Sequence, residues 1–332
     1  MSVVCKKFSY VYVLVSAPED TYYEQTLISA FTLRHYMPEA HIMVLTDERT
    51  ADTLNGVRGQ LASVVSEIKT IPMDAGFSNM IRSRWLKTSL YSFVSNDFLY
   101  IDADTLVTQP LDAIESMPIS LGAVLDKHLY FDEHILKDYI SRMAEHLDFE
   151  AAIGQRHFNA GILLCRKNQE TEAFFQRWHE RWLFSKSRGV NIDQVAFAQA
   201  NYLGNGCVQE LDGLWNCQLE YGTAYFFNAK ILHMFVTGDQ YHRRPHPCMD
   251  PMFFEKVKKE GLTEEFKTIA LHPLAYFNNK TQLIGGVAVD YFNTEWSRLW
   301  NLMFCSSSFS RSIFNVFNFF ARQILSLKKK KN

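Results

Sequence analysis

Asp102 and Asp104 are the side chains with the clearest capacity for chemistry. They close a short apolar run, Phe98–Ile101, within the stretch NDFLYIDADTLVTQP at residues 96–110, and Thr105–Val107 carries the apolar character onward. Residues two apart on an extended chain point to the same side, so both carboxylates project together from the end of a buried strand. Two carboxylates side by side in a desolvated place are costly unless a counter-charge compensates them. A divalent cation is the simplest compensator, and a metal-bound diphosphate is the simplest reason to hold one. The competing reading is a strand that runs into a solvated turn, and an isolated D-x-D does not separate the two.

The elements that must position this pair read as an alternating α/β chain. Residues 10–16, rich in Val and Tyr, form a buried strand, and residues 17–21 form a polar turn. Tyr23, Leu27, Ala30 and Phe31 recur at helical spacing, and Pro38 ends that helix. Residues 41–45 and 64–71 are the next strands. Leu86, Leu90, Phe93 and Val94 fall at i, i+4, i+7 and i+8, the mark of an amphipathic helix leading into the aspartate strand. Leu121–Leu125, ending at Asp126, and residues 158–164 are further strands. Phe174, Trp178 and Trp182 define a helix, and residues 191–200 a shorter one with Asn191 as its N-cap. Residues 207–210 and 231–235 are late strands. Strand and helix alternate over residues 8–240 without an internal repeat, which implies a parallel α/β sheet.

Composition narrows the class. A chain of 332 residues with 47% hydrophobic and 21% charged residues is a globular protein with room for a large core. A net charge of -2 argues against a nucleic-acid binder. No apolar run is long enough to span a bilayer. The N-terminal MSVVCKKFSYVYVLVSAPED has two lysines before an apolar segment, but its Val and Tyr content and the following Pro18-Glu19-Asp20 read as a first strand rather than a signal peptide. Cys5, Cys165, Cys207, Cys217, Cys248 and Cys305 are scattered without a C-x-x-C pair, which suits a reducing compartment and gives no zinc signature. Beyond Pro245-His246-Pro247 the character changes to helices separated by polar turns. The expected organisation is a catalytic domain over residues 1–245 and a helical extension over 246–332. Phe292, Trp296, Leu299, Trp300 and Met303 form one stripe there. In the last segment Phe309, Ile313, Phe317, Phe320, Ile324 and Leu327 share one face, opposite Arg311, Asn315, Asn318 and Arg322, and four lysines at 328–331 follow.

The ordered set of Lys87 on a helix, then YIDADTLV, HFNAGILL, NIDQ and ILH resembles nucleotide-sugar glycosyltransferases of the GT-A fold. It is most similar to the retaining family 8 group, which includes galactosyl- and glucosyltransferases that build bacterial lipooligosaccharide. The resemblance runs over about residues 10–245. It implies a GT-A type α/β fold, a mixed and mostly parallel central sheet flanked by helices, with a helical C-terminal extension. It also implies transfer of glucose or galactose from a UDP-sugar to a saccharide or lipid-linked acceptor, with retention. Two other readings compete: an inverting GT-A transferase with Asp193 or Asp126 as base, and an inactive homologue that only binds nucleotide-sugar. A sugar-phosphate nucleotidyltransferase ranks lower, because no Gly-rich basic loop follows the first strand.

Residue by residue, the resemblance implies that Asp102, Asp104 and His233 hold Mn²⁺ or Mg²⁺. Two carboxylates and an imidazole suit such a cation, which stabilises charge on a leaving diphosphate. Ala103 lies between the aspartates. Lys87 contacts the donor as a mobile point charge, and Arg84 lies one turn earlier. Ser16, Ala17 and Asp20, beyond the first strand, match the loop that holds uracil and ribose, and Tyr22 either stacks on the base or joins the helix core. Asp126, Asn159, Ala160 and Gly161 line the donor sugar. Asp193 grips the sugar, and Gln194 faces its anomeric carbon opposite the leaving group. In HMFVTGDQYHRRP the family's glycine is present as Gly238, but its following lysine is absent, so Arg243, Arg244 or His242 takes the diphosphate contact. The last helix has a Phe-rich face and a basic end, which fits an anionic membrane surface. The alternative is a helix packed on the catalytic domain. The expected location is cytoplasmic, peripheral on the inner face of a membrane.

Overall fold

The structure is a computed structural model, and it describes residues 8–134, 136–149, 156–219, 221–222, 224–234, 246–276, 281–284, 287–290 and 308–329. The strands are β1 (Ser9–Leu14), β2 (His41–Asp47), β3 (Glu67–Ile71), β4 (Phe98–Ile101), β5 (Thr105–Val107), β6 (Leu121–Leu125), β7 (Phe158–Cys165), β8 (Gln209–Glu210), β9 (Cys217–Gln218), β10 (Ile231–His233), β11 (Thr281–Ile284) and β12 (Val287–Asp290). The helices are α1 (Tyr22–Tyr36), α2 (Glu48–Ala51), α3 (Leu61–Val64), α4 (Asn79–Ser89), α5 (Asp112–Glu115), α6 (Lys137–Glu145), α7 (Gln169–Ser187), α8 (Asp193–Leu203), α9 (Pro251–Glu260), α10 (Glu264–Leu271) and α11 (Ser308–Lys329).

The main sheet has the order β3-β2-β1-β4-β7-β6-β8. Its pairings are parallel except around β7, which runs antiparallel to both β4 and β6. Strand alternation explains why β1 reads as a continuous apolar run. Val11 and Val13 join one core with Phe174, Trp178 and Trp182 of α7. Tyr10, Tyr12 and Leu14 join the opposite core with Leu27, Ala30 and Leu33 of α1. A sheet covered on both faces needs apolar side chains at every position.

A second sheet has the order β5-β10-β9. The apolar character continues past Asp104 as expected, but in a different sheet. β4 ends at Ile101, the chain crosses over through Asp102-Ala103-Asp104, and β5 pairs antiparallel with β10, Thr105 opposite His233. The aspartate pair therefore sits at the joint between two sheets. α9 and α10 pack Phe253, Phe254, Val257 and Phe266 into a third core with Leu106, Cys217 and Leu232 of the second sheet. Packing thus runs across residue 245 into the following two helices. The aromatic stripe at residues 292–303 lies outside the described residues.

Three local expectations shift. The third strand begins at Glu67, because Leu61–Val64 coils into a helical turn that buries Leu61 and Val64. The amphipathic helix starts earlier, at Asn79, with Ser78 as N-cap accepting from the Ile81 N–H, and gives way to a tighter turn at Leu90–Ser92. Asn191 is not the N-cap of α8. Ile192 holds that position, while the Asn191 carbonyl accepts the Trp182 indole N–H at 3.3 Å.

Candidate active site

α4 brings two cations to the joint between the sheets. Arg82 anchors the helix: its buried guanidinium pairs with Asp47 at the end of β2 and donates to the carbonyls of Asp74 and Phe77. With that face fixed, Met80, Ser83, Arg84 and Lys87, at i, i+3, i+4 and i+7, turn toward a cavity of about 490 Å³. Lys87 is 5% exposed, and its Nζ lies 3.0 and 3.2 Å from the two oxygens of Asp102. The Tyr100 hydroxyl donates to the same carboxylate. Tyr100 precedes Asp102 by two on the strand and so shares its face.

α8 supplies the opposing carboxylate. Asp193 Oδ1 forms an ion pair with Arg84 Nε at 3.0 Å. Asp193 Oδ2 is buried without a hydrogen bond, its nearest cation being Lys87 Nζ at 3.7 Å. Burial opposes ionisation of Asp193, but Arg84 and then Lys87 outweigh it and hold the carboxyl below its ordinary range. Asp193 in turn holds the Arg84 guanidinium above its own. This oxygen is an acceptor without a hydrogen bond on a residue that lines the cavity, suited to a hydroxyl donor.

The strand register brings the third member of the metal set. One ligand atom each from Asp102, Asp104 and His233 lie within 4.8 Å of one another. His233 Nε2 is 3.1 Å from Asp104 Oδ1. Burial works against a charge on His233, but the Asp104 carboxylate holds its pKa above the ordinary value, and His233 in turn lowers that of Asp104 against the effect of burial. On the far side of the ring, Nδ1 donates to the Asn216 carboxamide oxygen at 2.9 Å. That bond leaves Nε2 as the ligating nitrogen when the imidazole is neutral. Gly161 closes the floor: a Cβ there would lie 2.6 Å from His233 Cε1 and 2.8 Å from both Asn159 Oδ1 and Asp102 Oδ2. Two carboxylates and one imidazole, closed over a glycine, fit a hard or borderline divalent cation.

Asn216 opens a chain of matched donors and acceptors behind the cluster. Its amide donates to Asn159 Oδ1 at 3.0 Å, and Asn159 donates to Asp126 Oδ1 at 2.8 Å. Asp126 Oδ2 accepts from His134 Nε2 at 2.9 Å, and His134 Nδ1 accepts the Leu136 N–H at 3.1 Å. Burial disfavours the Asp126 carboxylate, yet the His134 hydrogen bond and the charge of His157 lower its pKa to about 2.

The cavity therefore collects Tyr22, Lys87, Asp102, Ala103, Asp104, Asn159, Gly161, Asp193, Gln194 and His233 from the expected set. Asp126 lies outside its lining, with both oxygens engaged as above. Ser16, Ala17 and Asp20 also lie outside it and bond to one another, Asp20 Oδ1 accepting from Ser16 Oγ at 2.6 Å and Oδ2 from the Ala17 N–H at 2.8 Å. Ala160 contributes backbone instead: its N–H donates to Gln194 Oε1 at 3.3 Å, while Gln194 Nε2 donates to the Phe158 carbonyl. The Gln194 carboxamide thus caps β7 where the pairing with β4 has ended at Ile101–Ile162. Gly238 and Arg243 lie outside the described residues. Sequence reasoning missed Gln25, Ser83, Tyr100 and Asn216. The first three follow from helical or strand spacing beside Tyr22, Lys87 and Asp102. Nothing in the sequence around Asn216 signals its contact.

Residues 18–236 match the sequence model of glycosyl transferase family 8, well over half of the chain. The chain belongs to that family. Among solved structures, an active-site mutant of LgtC is similar at 20% identity, with a TM-score of 0.50 over 79% of this chain and 99% of that one. The galactosyltransferase LgtC in complex with donor and acceptor sugar analogues gives 19% identity and a TM-score of 0.49 at the same coverage. The glycosyltransferase GlyE of Streptococcus pneumoniae TIGR4 gives 17% identity and 0.47, covering 83% of this chain and 66% of that one. No curated protein matches the sequence. Family membership and the mixed sheet agree on a GT-A glycosyltransferase with a possible Asp-Asp-His metal site. Among the described residues no helix is long and apolar enough to cross a membrane.

Proposed function

We propose that the protein transfers a hexose, glucose or galactose, from a UDP-sugar to a saccharide or glycolipid acceptor, dependent on Mn²⁺ or Mg²⁺ and with retention of configuration. The observation that carries this reading is the meeting, in one cavity, of the Asp102–Asp104–His233 cluster with the Arg84–Asp193–Lys87 group. A bound divalent cation would neutralise charge on a leaving diphosphate. Lys87 and Arg84 add fixed positive charge in a site that is largely withdrawn from water, where it acts strongly. The unbonded oxygen of Asp193 accepts a sugar hydroxyl, and Asn159, whose carboxamide oxygen is taken by Asn216 and the Gly161 N–H, offers its second amide hydrogen beside it. Gln194, tied to the backbone of β7, sets the wall against which the sugar rests. Tyr22, which lines the cavity and is 56% exposed, would stack on a base. No carboxylate nucleophile is assigned, so retention rests on the family.

The test is to incubate the protein with a panel of UDP- and GDP-sugars and Mn²⁺, and to measure nucleotide release and the first-formed anomer by NMR. Release from UDP-glucose or UDP-galactose with a retained anomer is expected. An inverted anomer sinks the stereochemical assignment, and no release from any donor sinks the transferase reading.

We also propose that α11 rests on an anionic membrane surface. Val316, Phe317, Phe319 and Phe320 are 41–58% exposed, and the segment ends in a run of lysines that complements anionic headgroups. Flotation with anionic vesicles should carry the full chain and leave the form truncated after residue 305 behind. A full chain that stays wholly in solution contradicts this.

A further inference from the structure

α8 touches two cavities. Its first residues, Asp193 and Gln194, line the donor cavity. Its far end, with Asn201, Tyr202 and Leu203, walls a second cavity of about 790 Å³ together with Tyr130, Arg156 and Asn205. β7 also links the two: Phe158 lines the second cavity, and the next residue, Asn159, lines the first. Along the helix, Tyr202 lies about 12 Å from Gln194 at 1.5 Å per residue. We propose that this second cavity is a saccharide subsite that holds the distal sugars of the acceptor.

The chemistry of the lining selects the occupant. Tyr130 and Tyr202 are 47% and 57% exposed, and neither hydroxyl has a protein partner among the described residues. A tyrosine face matches the C–H face of a pyranose ring, and its hydroxyl serves the ring's rim, so one residue provides both contacts at little entropic cost. Asn201 spends its carboxamide oxygen on the Val208 N–H at 2.9 Å, and its NH₂ group has no hydrogen-bond partner among the described residues. Asn205 holds a left-handed turn (φ 55°), which carries its amide to the same wall. Among the lining residues the single charged side chain is Arg156, and Glu210 neutralises it at 3.1 Å. A phosphate or carboxylate ligand would find no unpaired cation there, whereas a neutral sugar finds stacking surfaces and amides.

This inference rests on the glycosyl-transfer reading, and the experiment separates the two. The full chain and a Tyr130→Ala/Tyr202→Ala double variant are examined by saturation-transfer NMR with cellotetraose, maltotetraose and β1,4-galactotetraose. Mn²⁺-dependent UDP binding is measured by calorimetry on the same preparations. At least one tetrasaccharide should bind the wild type, and its affinity should fall about tenfold or more in the double variant. UDP binding should stay unchanged, since neither tyrosine lines the donor cavity. Both side chains are half exposed, and their truncation removes from the cores one ring contact, that of Tyr202 with Phe149 at 5.4 Å, which the UDP measurement controls for. If no tetrasaccharide binds, or if both proteins bind it equally, the subsite is refuted whatever UDP does. Saccharide binding without UDP binding refutes the donor reading and leaves the cavity as a saccharide site.

Discussion

Lys87→Met separates two roles that one ammonium plays. The side chain is 5% exposed and lies 3.0 Å from Asp102 and 3.7 Å from Asp193. Breaking a buried ion pair costs about 3–5 kcal/mol, because a charge is left without its partner. Asp102 is 25% exposed, and Arg84 still serves Asp193, so the loss should fall to about 2 kcal/mol. The same ammonium opposes any cation that binds Asp102. Two unit charges about 4 Å apart repel by about 4 kcal/mol at an effective dielectric of about 20, so even partial relief should tighten Mn²⁺ by about tenfold. Transfer should nevertheless fall, because the donor loses a fixed charge. Urea unfolding without metal, Mn²⁺ titration by electron paramagnetic resonance, and sugar transfer measure the three quantities. The expected pattern is lower stability, tighter metal and slower transfer. Weaker Mn²⁺ binding in the variant would refute the reasoning, since it would mean that Lys87 supports the metal site rather than competing with it.

Asn216→Leu should keep the fold but weaken Mn²⁺ binding by about 10–100-fold, read by the same titration, because His233 loses the partner that orients its ring. Asp126→Asn tests the network behind it. The folded pKa of Asp126 is depressed from 3.8 to about 2, so its contribution is present above the unfolded value and lost as pH falls through the folded one. The variant should be about 2 kcal/mol less stable at neutral pH, with the difference closing toward pH 2 in denaturant titrations. Glu24→Met should act in the opposite sense. Both carboxyl oxygens of Glu24 are buried without a hydrogen bond, and burial raises its pKa above 4.5. Wild type is therefore favoured on that account below the unfolded value and loses the benefit as pH rises. The variant should gain about 1–3 kcal/mol at neutral pH, and the gain should vanish as pH falls below 4.5.

The aspartate pair was legible as the acidic end of an apolar run, but its geometry was not: β4 stops at Ile101, the chain bends through Ala103-Asp104, and the two side chains stay 25% and 23% exposed. The two-faced core was legible from strand period two, since Val11 and Tyr12 each needed an apolar neighbour on its own side. Asp104 meeting His233 was not. It depends on β5 leaving the main sheet and pairing with β10, and a register between residues more than a hundred apart leaves no mark in spacing. Gln194 shows a similar limit. Its carboxamide completes the edge of β7, a contact set by where β4 stops. Asp126 reads as a free acid at a strand end, yet His134 and Asn159 take both its oxygens, so it orients Asn159 from behind. Arg84, on the same helical face as Lys87, was within reach of spacing, whereas its partner Asp193 came from another helix.

Mn²⁺-dependent UDP binding by wild type and by Asp104→Asn tests the central claim most directly. The wild-type chain should bind UDP with Mn²⁺ and lose that binding in EDTA. Asp104→Asn should fold normally and fail to bind UDP even with Mn²⁺ present. Equal UDP binding by both proteins, or wild-type binding indifferent to metal, would contradict the assignment of Asp102, Asp104 and His233 as a metal-diphosphate seat.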